Sequence, residues 1–339
     1  MASFYANELA KRGYKVKCYA PRFPQRPGQE YSVKKTFRSL RRYVKNSIHY
    51  EFLYAVRELY PLVEFCDVEN FKEKGIESAD ISIATSWSTA YYLNKIKTNA
   101  GKKVYFVQDF ETWGDSKETK ISLSTYAYDM KKIVISNWIN KQLIAHGFDE
   151  GEVIYNGIDT TVFSNTDKKV HAPIRCLLLD HTGKHKGTKY GLAAFEEAKK
   201  RYPRLELVMF GMKKSEIVPR EIEYHENIMG QELVNLYCST DIFIFPSINE
   251  GWGLTPVEAM ACKCAVVGNA VGCMAEIGTD QENALIGRPK DIKSMADNIV
   301  RLCNDRELLT KISENGRLTA QGLDWTNSVD KFERAITLK

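Results

Sequence analysis

Short runs of β-branched and aromatic residues alternate with amphipathic stretches along most of this 339-residue chain. Such alternation is typical of βαβ units, in which a helix returns the chain to a parallel neighbouring strand. The predicted strands are residues 15–19, 81–84, 104–107, 132–135, 153–155, 175–179, 205–210, 242–245 and 265–268. The sequence therefore predicts an α/β fold with doubly wound parallel sheets.

The length predicts two lobes, because domains usually run about 100 to 200 residues. The polar, turn-rich segment 163–173 is the expected hinge. We expect a first Rossmann-like lobe over residues 1–165 and a second over residues 170–325, facing each other across a cleft. A C-terminal helix at about residues 326–339 is expected to pack back on the first lobe.

The start of the chain departs from the doubly wound pattern. Residues 2–12 read as an amphipathic helix that ends at Gly13, and a strand follows. Because a doubly wound lobe begins with a strand, we expect the first lobe to be truncated and to lack its first strand. A different arrangement of this lobe is the alternative.

Composition excludes several classes of protein. Hydrophobic residues at 44% and charged residues at 27% are typical of a globular chain. The longest apolar runs, such as residues 241–246, fall far short of the roughly 20 residues that a bilayer helix needs. No signal peptide is recognisable, and the eight scattered cysteines are expected to be reduced thiols of a cytoplasmic protein.

Basic residues concentrate between residues 32 and 50. Lys34, Lys35, Arg38, Arg41, Arg42 and Lys45 alternate with apolar residues at roughly helical spacing. The pattern predicts either a solvated helix packed on its own lobe or peripheral docking on the anionic inner face of the cytoplasmic membrane. The net charge of +5 is mild, and no nucleic-acid partner is expected.

The strongest local signal is the strand, loop and helix of residues 242–264. Thr255 suits an N-cap, Pro256 suits the first helical position, and Glu258 three residues after Thr255 completes a capping box. Gly251 and Gly253 would let backbone N–H groups approach an anion such as a diphosphate at the helix N-terminus. A well-capped helix without a ligand is the alternative.

Glu250 and Glu258, separated by seven residues, resemble the E-x7-E signature of the family 4 retaining glycosyltransferases with the GT-B fold. Residues 153–163, 205–211, 232–241 and 264–277 are similar to other segments of that family in order and spacing. The resemblance covers most of the chain beyond about Lys131. Residues 108–111 (QD-x-E) are similar to rhamnosyl-type members.

The resemblance implies roles for particular residues. The first Glu of the signature contacts donor-sugar hydroxyls and the second holds the nucleotide ribose, which suits carboxylates as acceptors. The residues assigned to catalysis are Glu250, Lys186, Gln108 and Asp109. Those assigned to substrate binding are Glu258, Gly251, Trp252, Gly253, Leu254, Thr255, Lys184, His181, Gly211 and Asn156. Helix capping for Glu258, and solvation for Glu250, are the structural alternatives.

The family's diphosphate clamp, an arginine followed by Lys-Gly, is only half present. Lys186 before Gly187 matches the lysine, whereas His181 stands near the place of the arginine and Lys184 is the nearest permanent cation. His181 and His185 are four residues apart, but no further ligand completes a zinc site, and no metal is expected. Gln108 stands where the family often has a histidine. Asp109 and Glu111 have helix capping or solvation as their structural alternatives.

The resemblance implies a metal-independent, retaining transfer of a hexose or deoxyhexose from a nucleoside diphosphate sugar to a glycan or lipid-linked acceptor. The sugar nucleotide is a co-substrate, and no cofactor is expected. The alternative from another class is a degenerate protein that binds a sugar nucleotide or a partner without turnover. A sugar-nucleotide epimerase is a second enzymatic alternative, against which the E-x7-E signature argues.

Overall fold

The computed structural model describes residues 2–21, 27, 60–68, 71, 76–97, 100–112, 116–165, 168 and 170–338. The chain divides into two compact units. The first unit comprises Met1–Val134, Ile139–Val153 and Val329–Lys339, and the second comprises Ile135–Trp138 and Ile154–Ser328. The basic stretch from Lys34 to Lys45 lies outside the described residues.

Among its described residues, the first unit contains two parallel sheets. Strands β1 (Lys17–Pro21) and β2 (Glu64–Val68) pair with each other. A four-stranded sheet has the order β3 (Ile81–Ala84), β4 (Lys102–Val107), β5 (Lys131–Val134) and β6 (Glu152–Val153). The helices in this part of the chain are α1 (Ala2–Lys11), α2 (Trp87–Lys95), α3 (Ser116–Thr125) and α4 (Asn137–Ala145), of which α4 begins in the second unit.

The second unit is built on a six-stranded parallel sheet. Its strands are β7 (Arg175–Leu179), β8 (Glu206–Gly211), β9 (Glu223–Glu226), β10 (Ile242–Phe245), β11 (Ala265–Asn269) and β12 (Ala284–Gly287). Its helices are α5 (Thr188–Arg201), α6 (Gly230–Cys238), α7 (Thr255–Ala261), α8 (Cys273–Ile277), α9 (Ile292–Asn304) and α10 (Arg306–Gln321). The last helix, α11 (Trp325–Thr337), begins in the second unit and ends in the first.

The strand predictions agree closely with these elements. The strands predicted at residues 81–84, 175–179 and 242–245 have the observed bounds, and the other six are shifted by one or two residues. Strands β2, β9 and β12 were not predicted. None of the described helices combines the length and apolar character needed to cross a bilayer.

The central strands β10 and β11 of the second unit are buried on both faces, as parallel strands covered by helices must be. Every residue of β10 and β11 is buried, and these strands pack on apolar residues of the flanking helices. This rigid centre fixes the positions of the loops that follow β7, β10 and β11.

An aromatic cluster joins three elements of the first unit. The rings of Tyr5 on α1, Phe106 on β4 and Phe332 on α11 are each at most 2% exposed. The Phe332 ring centroid lies 4.5 Å from that of Tyr5 and 5.1 Å from that of Phe106. The C-terminal residues therefore complete the core of the unit that contains the N-terminal helix.

We expect Phe332→Ala to destabilise the first unit by about 3–5 kcal/mol, because it removes a buried ring from close-packed neighbours. Leu338→Ala is the matched control, since Leu338 is 63% exposed and should change stability by about 0.5 kcal/mol or less. Urea unfolding measures both. Equal midpoints for the two variants would contradict the role given to the Phe332 ring.

Candidate functional site

The strand order of the second unit predicts where a ligand would bind. The order is β12-β11-β10-β7-β8-β9, so β7 and β10 are neighbours although β8 and β9 lie between them in the chain. From β7 the chain continues to β8 on one side, and it later crosses to β10 on the other. The loops after β7 and β10 diverge there and leave a crevice at the carboxyl ends, where open α/β sheets bind ligands.

Lys186 lies in the loop that follows β7. It ends a short 3₁₀ helix, Lys184–Lys186, and Gly187 follows in the left-handed conformation with φ of 68°. A Cβ atom at Gly187 would lie 2.1 Å from the Pro246 carbonyl oxygen. Only glycine therefore allows this loop to approach the end of β10 so closely.

Glu250, in the loop after β10, meets Lys186 in this crevice. The Lys186 ammonium donates to Glu250 Oε1 over 2.6 Å, and Ser247 Oγ donates to the same oxygen over 2.9 Å. The side chains of Lys186 and Glu250 are only 23% and 8% exposed. A partly buried ion pair, supported by a hydroxyl, therefore lies at the point where the two loops diverge.

Further hydrogen bonds hold these loops together. The Ile248 N–H donates to the His185 carbonyl over 2.7 Å, and Asn269 Nδ2 on β11 donates to the Ser247 carbonyl over 2.9 Å. Leu179, Phe243 and Thr255 line the same crevice together with Lys186 and Glu250. The cation is thus pre-positioned beside a concave, partly apolar surface.

The glycine loop after β11 supports the loop that contains Glu250. Gly272 has a φ of 54°, and a Cβ there would lie 2.2 Å from the Trp252 carbonyl and 2.6 Å from Glu250 Cβ. The Cys273 N–H donates to that carbonyl over 2.5 Å. Trp252 itself is 3% exposed and stacks on Tyr155 with ring centroids 4.7 Å apart. Sequence similarity indicated this glycine loop, and the structure gives its packing reason.

Glu258 does not form the predicted capping box. Helix α7 begins one residue earlier than expected, Leu254 occupies the N-cap, and no side chain caps the helix. Thr255 is therefore already helical. The Glu258 carboxylate instead accepts a hydrogen bond from the Tyr237 hydroxyl on α6 over 2.9 Å, and burial raises its pKa to about 7. The Glu258 carboxylate thus accepts from a hydroxyl on another helix and not from the backbone N–H at the start of its own helix.

The other residues predicted after β7 differ in character. His181 and Lys184 are both exposed, and His181 Nδ1 accepts from the Gly183 N–H over 2.9 Å. Burial, and then the charge of Lys186, lower the pKa of His181. His181 therefore does not replace the permanent charge of an arginine. Within the part of the chain that the structure describes, no three His, Cys, Asp or Glu side chains form a potential metal site.

Two further predicted residues of the second unit are buried. Gly211 ends β8, and a Cβ there would lie 2.4 Å from the Asp180 carbonyl. Asn156 is 1% exposed, and its Oδ1 has no hydrogen-bond partner among the described residues. Packing accounts for Gly211, whereas the structure gives no contact that explains the buried Asn156 oxygen.

The residues predicted after β4 belong to the first unit. Gln108 Nε2 donates to the Thr85 carbonyl over 3.0 Å, and Asp109 Oδ1 accepts from the Phe110 N–H over 2.7 Å. Glu111 Oε2 accepts from the Trp87 N–H over 2.6 Å at the start of α2, and burial raises the pKa of Glu111 to about 7. Helix capping, one of the two structural alternatives, thus describes Glu111.

Sequence reasoning missed three residues of this region. Ser247 and Asn269 support Glu250, and Tyr237 binds Glu258. Glu276, which lies in the family-like segment 264–277, accepts from the Tyr155 hydroxyl over 3.0 Å. Ser247 and Asn269 follow or end predicted strands, and this position could have indicated them. Tyr237 lies within a helix, so no local signal marks its contact with Glu258.

The partly buried Glu258 predicts a particular pH dependence of stability. Because the pKa of Glu258 is about 7 in the folded chain and 4.5 ordinarily, the folded state binds the proton more tightly. The free energy of unfolding should therefore fall as pH rises from about 5 to 8, by about 2 kcal/mol from this residue. Glu258→Gln should lose this part of the decline in urea unfolding, whereas the exposed control Glu232→Gln should keep it. An unchanged decline in Glu258→Gln would contradict the effect of burial.

Comparisons with known proteins relate the second unit to a family of transferases. Residues 165–319 match the family model of the glycosyl transferases, group 1. The chain is 24% identical over 203 residues to an uncharacterised glycosyltransferase of Methanocaldococcus jannaschii. The aligned residues cover 59% of this chain and 57% of that protein. The match thus spans less than two thirds of the relative's own length.

Two solved structures resemble most of the chain. Anabaena HepE, in complex with UDP and glucose, has a TM-score of 0.72 and 15% identity over 84% of this chain and 88% of that one. Sucrose-phosphate synthase from Thermosynechococcus elongatus has a TM-score of 0.69 and 16% identity, and the match covers 98% of this chain and 90% of that one. The predicted fold class is confirmed: the chain has the GT-B fold, and its second unit carries the segment that matches the group 1 glycosyl transferases.

Proposed function

We propose that the protein is a family 4 retaining glycosyltransferase that uses a nucleoside diphosphate sugar as donor. The observation that carries this proposal is the Lys186–Glu250 pair at the crevice between β7 and β10. It brings a cation for a leaving diphosphate and a carboxylate for sugar hydroxyls to one point. The match of residues 165–319 to the group 1 glycosyl transferases supports the same class.

The proposed reaction needs stabilisation of the leaving group above all. The bond between the anomeric carbon and the diphosphate oxygen breaks, and negative charge develops on that oxygen. The Lys186 ammonium would stabilise this charge, which a partly buried site does better than bulk water. The acceptor oxygen then bonds to the anomeric carbon on the same face and passes its proton to the leaving diphosphate. This course requires neither a protein nucleophile nor a metal ion.

The two signature glutamates would take different parts of the donor. Glu250 lies beside Lys186, so its second oxygen can accept hydrogen bonds from sugar hydroxyls next to the diphosphate. Glu258 is on α7, bonded to Tyr237, and would hold the ribose diol. The proposed donor sugar is a hexose or deoxyhexose, including a rhamnosyl group, and the proposed acceptor is a glycan or lipid-linked glycan.

One observation favours the alternative of a degenerate binding protein. His181 stands near the place of the clamp arginine, and its lowered pKa disfavours a positive charge there. The partly buried Lys186 then has to supply the positive charge of the clamp. A weakened clamp would bind a nucleotide yet stabilise the leaving group poorly. Nucleotide binding and turnover therefore have to be measured separately.

We expect one nucleoside diphosphate among UDP, GDP, dTDP and ADP, each at millimolar concentration, to raise the unfolding temperature by several degrees. Binding at about 100 times the dissociation constant adds roughly 2.7 kcal/mol. Lys186→Ala should weaken that binding about tenfold by removing a charged partner of the diphosphate. Lys189→Ala is the control, because Lys189 is exposed and lies over the Tyr190 ring. No response to any nucleotide from a cooperatively folded chain would contradict the proposal.

We expect Glu250→Ala and Glu258→Ala to differ in their kinetic effects. Glu258→Ala should weaken nucleoside diphosphate binding, whereas Glu250→Ala should leave it within about threefold and lower turnover by at least about tenfold, since its contact is with the transferred sugar. Release of nucleoside diphosphate from the matching sugar nucleotide, with a glycan acceptor, measures turnover. Equal nucleotide affinity in both variants and the parent would refute the assigned roles. Binding without any turnover in the parent would favour the degenerate protein.

A further inference from the structure

Tyr237 contacts the Glu258 carboxylate from another helix. Tyr237 lies on α6, one residue before the end of that helix, and its hydroxyl donates to Glu258 Oε2 on α7 over 2.9 Å. Tyr237 is 0% exposed, whereas Glu258 is only partly buried. A fully buried donor therefore holds a residue that solvent also reaches.

Aromatic packing fixes the position of this donor. The ring centroid of Tyr237 lies 5.9 Å from those of Phe210 on β8 and Phe243 on β10, and 6.2 Å from that of Phe163. All three contacts are edge-to-face, an arrangement that aromatic rings in protein cores favour. A buried ring packed in this way cannot change rotamer without displacing its neighbours, so the hydroxyl stays at the Glu258 carboxylate.

The Tyr237 hydroxyl favours the ionised form of Glu258. Burial, and then the charge of Glu258, raise the pKa of Tyr237, so its hydroxyl keeps its proton and remains a donor. Burial raises the pKa of Glu258 to about 7, and the hydrogen bond from Tyr237 opposes that shift. The other titratable groups at this contact are Lys168 and Cys264, whose side chains lie 3.3 and 3.1 Å from the Tyr237 carbonyl, and Cys262, whose N–H donates to the Glu258 carbonyl.

We propose that Tyr237 is a positioning residue for nucleotide binding, whose hydroxyl holds Glu258 Oε2 so that the carboxylate stays oriented to accept the ribose hydroxyls. This inference rests on the proposed function, in which Glu258 holds the ribose. An ionised carboxylate can accept about four hydrogen bonds, so the one from Tyr237 leaves room for a diol. Without the phenol, binding of the ribose would also have to order the Glu258 side chain, which weakens affinity.

Tyr237→Phe tests this role, because it removes the hydroxyl and keeps the ring. Tyr224→Phe is the matched control, since the Tyr224 hydroxyl also donates to a carboxylate of the second unit, Asp180 Oδ2, over 3.2 Å. In this control Asp180 keeps two donors from Ser215, the backbone N–H at 2.8 Å and the hydroxyl at 2.7 Å. Cooperative unfolding in urea checks that both variants fold.

The first test needs no ligand. Carbon-13 NMR follows the ionisation of the Glu258 carboxyl, which the loss of its signal in Glu258→Gln assigns. This carboxyl should titrate at a higher pH in Tyr237→Phe than in the parent and bind its proton at least about threefold more tightly, because a donor to the charged form lowers a pKa. Tyr224→Phe should titrate like the parent. Equal titration of Glu258 in Tyr237→Phe and in the parent would overturn the proposal.

The second test uses whichever of UDP, GDP, dTDP and ADP the parent binds, together with the 2′,3′-dideoxy form of that nucleotide. At about pH 8, Tyr237→Phe should bind the nucleotide about three- to tenfold more weakly than the parent does. It should raise KM for the sugar nucleotide and leave kcat within about twofold. The dideoxy form lacks the hydroxyls that Glu258 would accept from, so the two chains should bind it equally. In the Glu258→Ala background, Tyr237→Phe should have no further effect.

The outcomes separate this role from the proposed function. Unchanged binding of the natural nucleotide, or equal weakening of the natural and dideoxy forms, would overturn the positioning role and leave the proposed function intact. A folded parent that binds none of the four nucleotides would instead contradict the proposed function, and the ribose contact of Glu258 would be overturned with it.

Discussion

The adjacency of β7 and β10 in the six-stranded sheet is the constraint on which the candidate site depends. All strands of a parallel sheet end at one edge, but only at this position do the following connections run to opposite sides. Lys186 and Glu250 are 64 residues apart in the chain and still form a 2.6 Å ion pair. Gly187 makes the approach possible, because no larger residue fits against the Pro246 carbonyl. Topology brings the loops together, and one glycine sets their spacing.

The ion pair itself stabilises the fold only modestly. Withdrawing two charges from water offsets much of their attraction, so such a pair is weak evidence for a role in stability. Its position is better explained by ligand binding under the proposed function. A diphosphate would compete with Glu250 for Lys186 and would free a carboxylate oxygen for the sugar. The Ser247 hydroxyl donates to Glu250, and the Asn269 amide donates to the Ser247 carbonyl. These bonds would keep the Glu250 carboxylate in place when Lys186 binds the diphosphate.

The sequence predicted the buried strands better than the edges and the helix cap. Strand β10 is a continuous apolar run, strand β7 is one after Arg175, and the predicted bounds of both agree with the observed ones. Strand β9 (EYHE) is polar, half-exposed and at the edge of the sheet, so no apolar pattern marks it. The capping box failed because Tyr237 offers Glu258 a hydroxyl from another helix, and a long-range contact of this kind leaves no trace in local spacing. Only the family resemblance, through the roles it implies for Lys186 and Glu250, indicates that these two side chains lie close together.

The contrast between Glu250 and Glu258 follows from their surroundings rather than from their shared residue type. Glu250 has a cation and a hydroxyl on the same oxygen, so a charge there is compensated within the protein. Glu258 is partly buried with one phenolic donor, and the cost of withdrawing its charge from water raises its pKa to about 7. A ribose diol would add hydroxyl donors to the ionised carboxylate and lower that pKa again. Under the proposed function, nucleotide binding and ionisation of Glu258 would therefore be coupled, because the ribose hydroxyls would add donors to a carboxylate that has one phenolic donor from the protein.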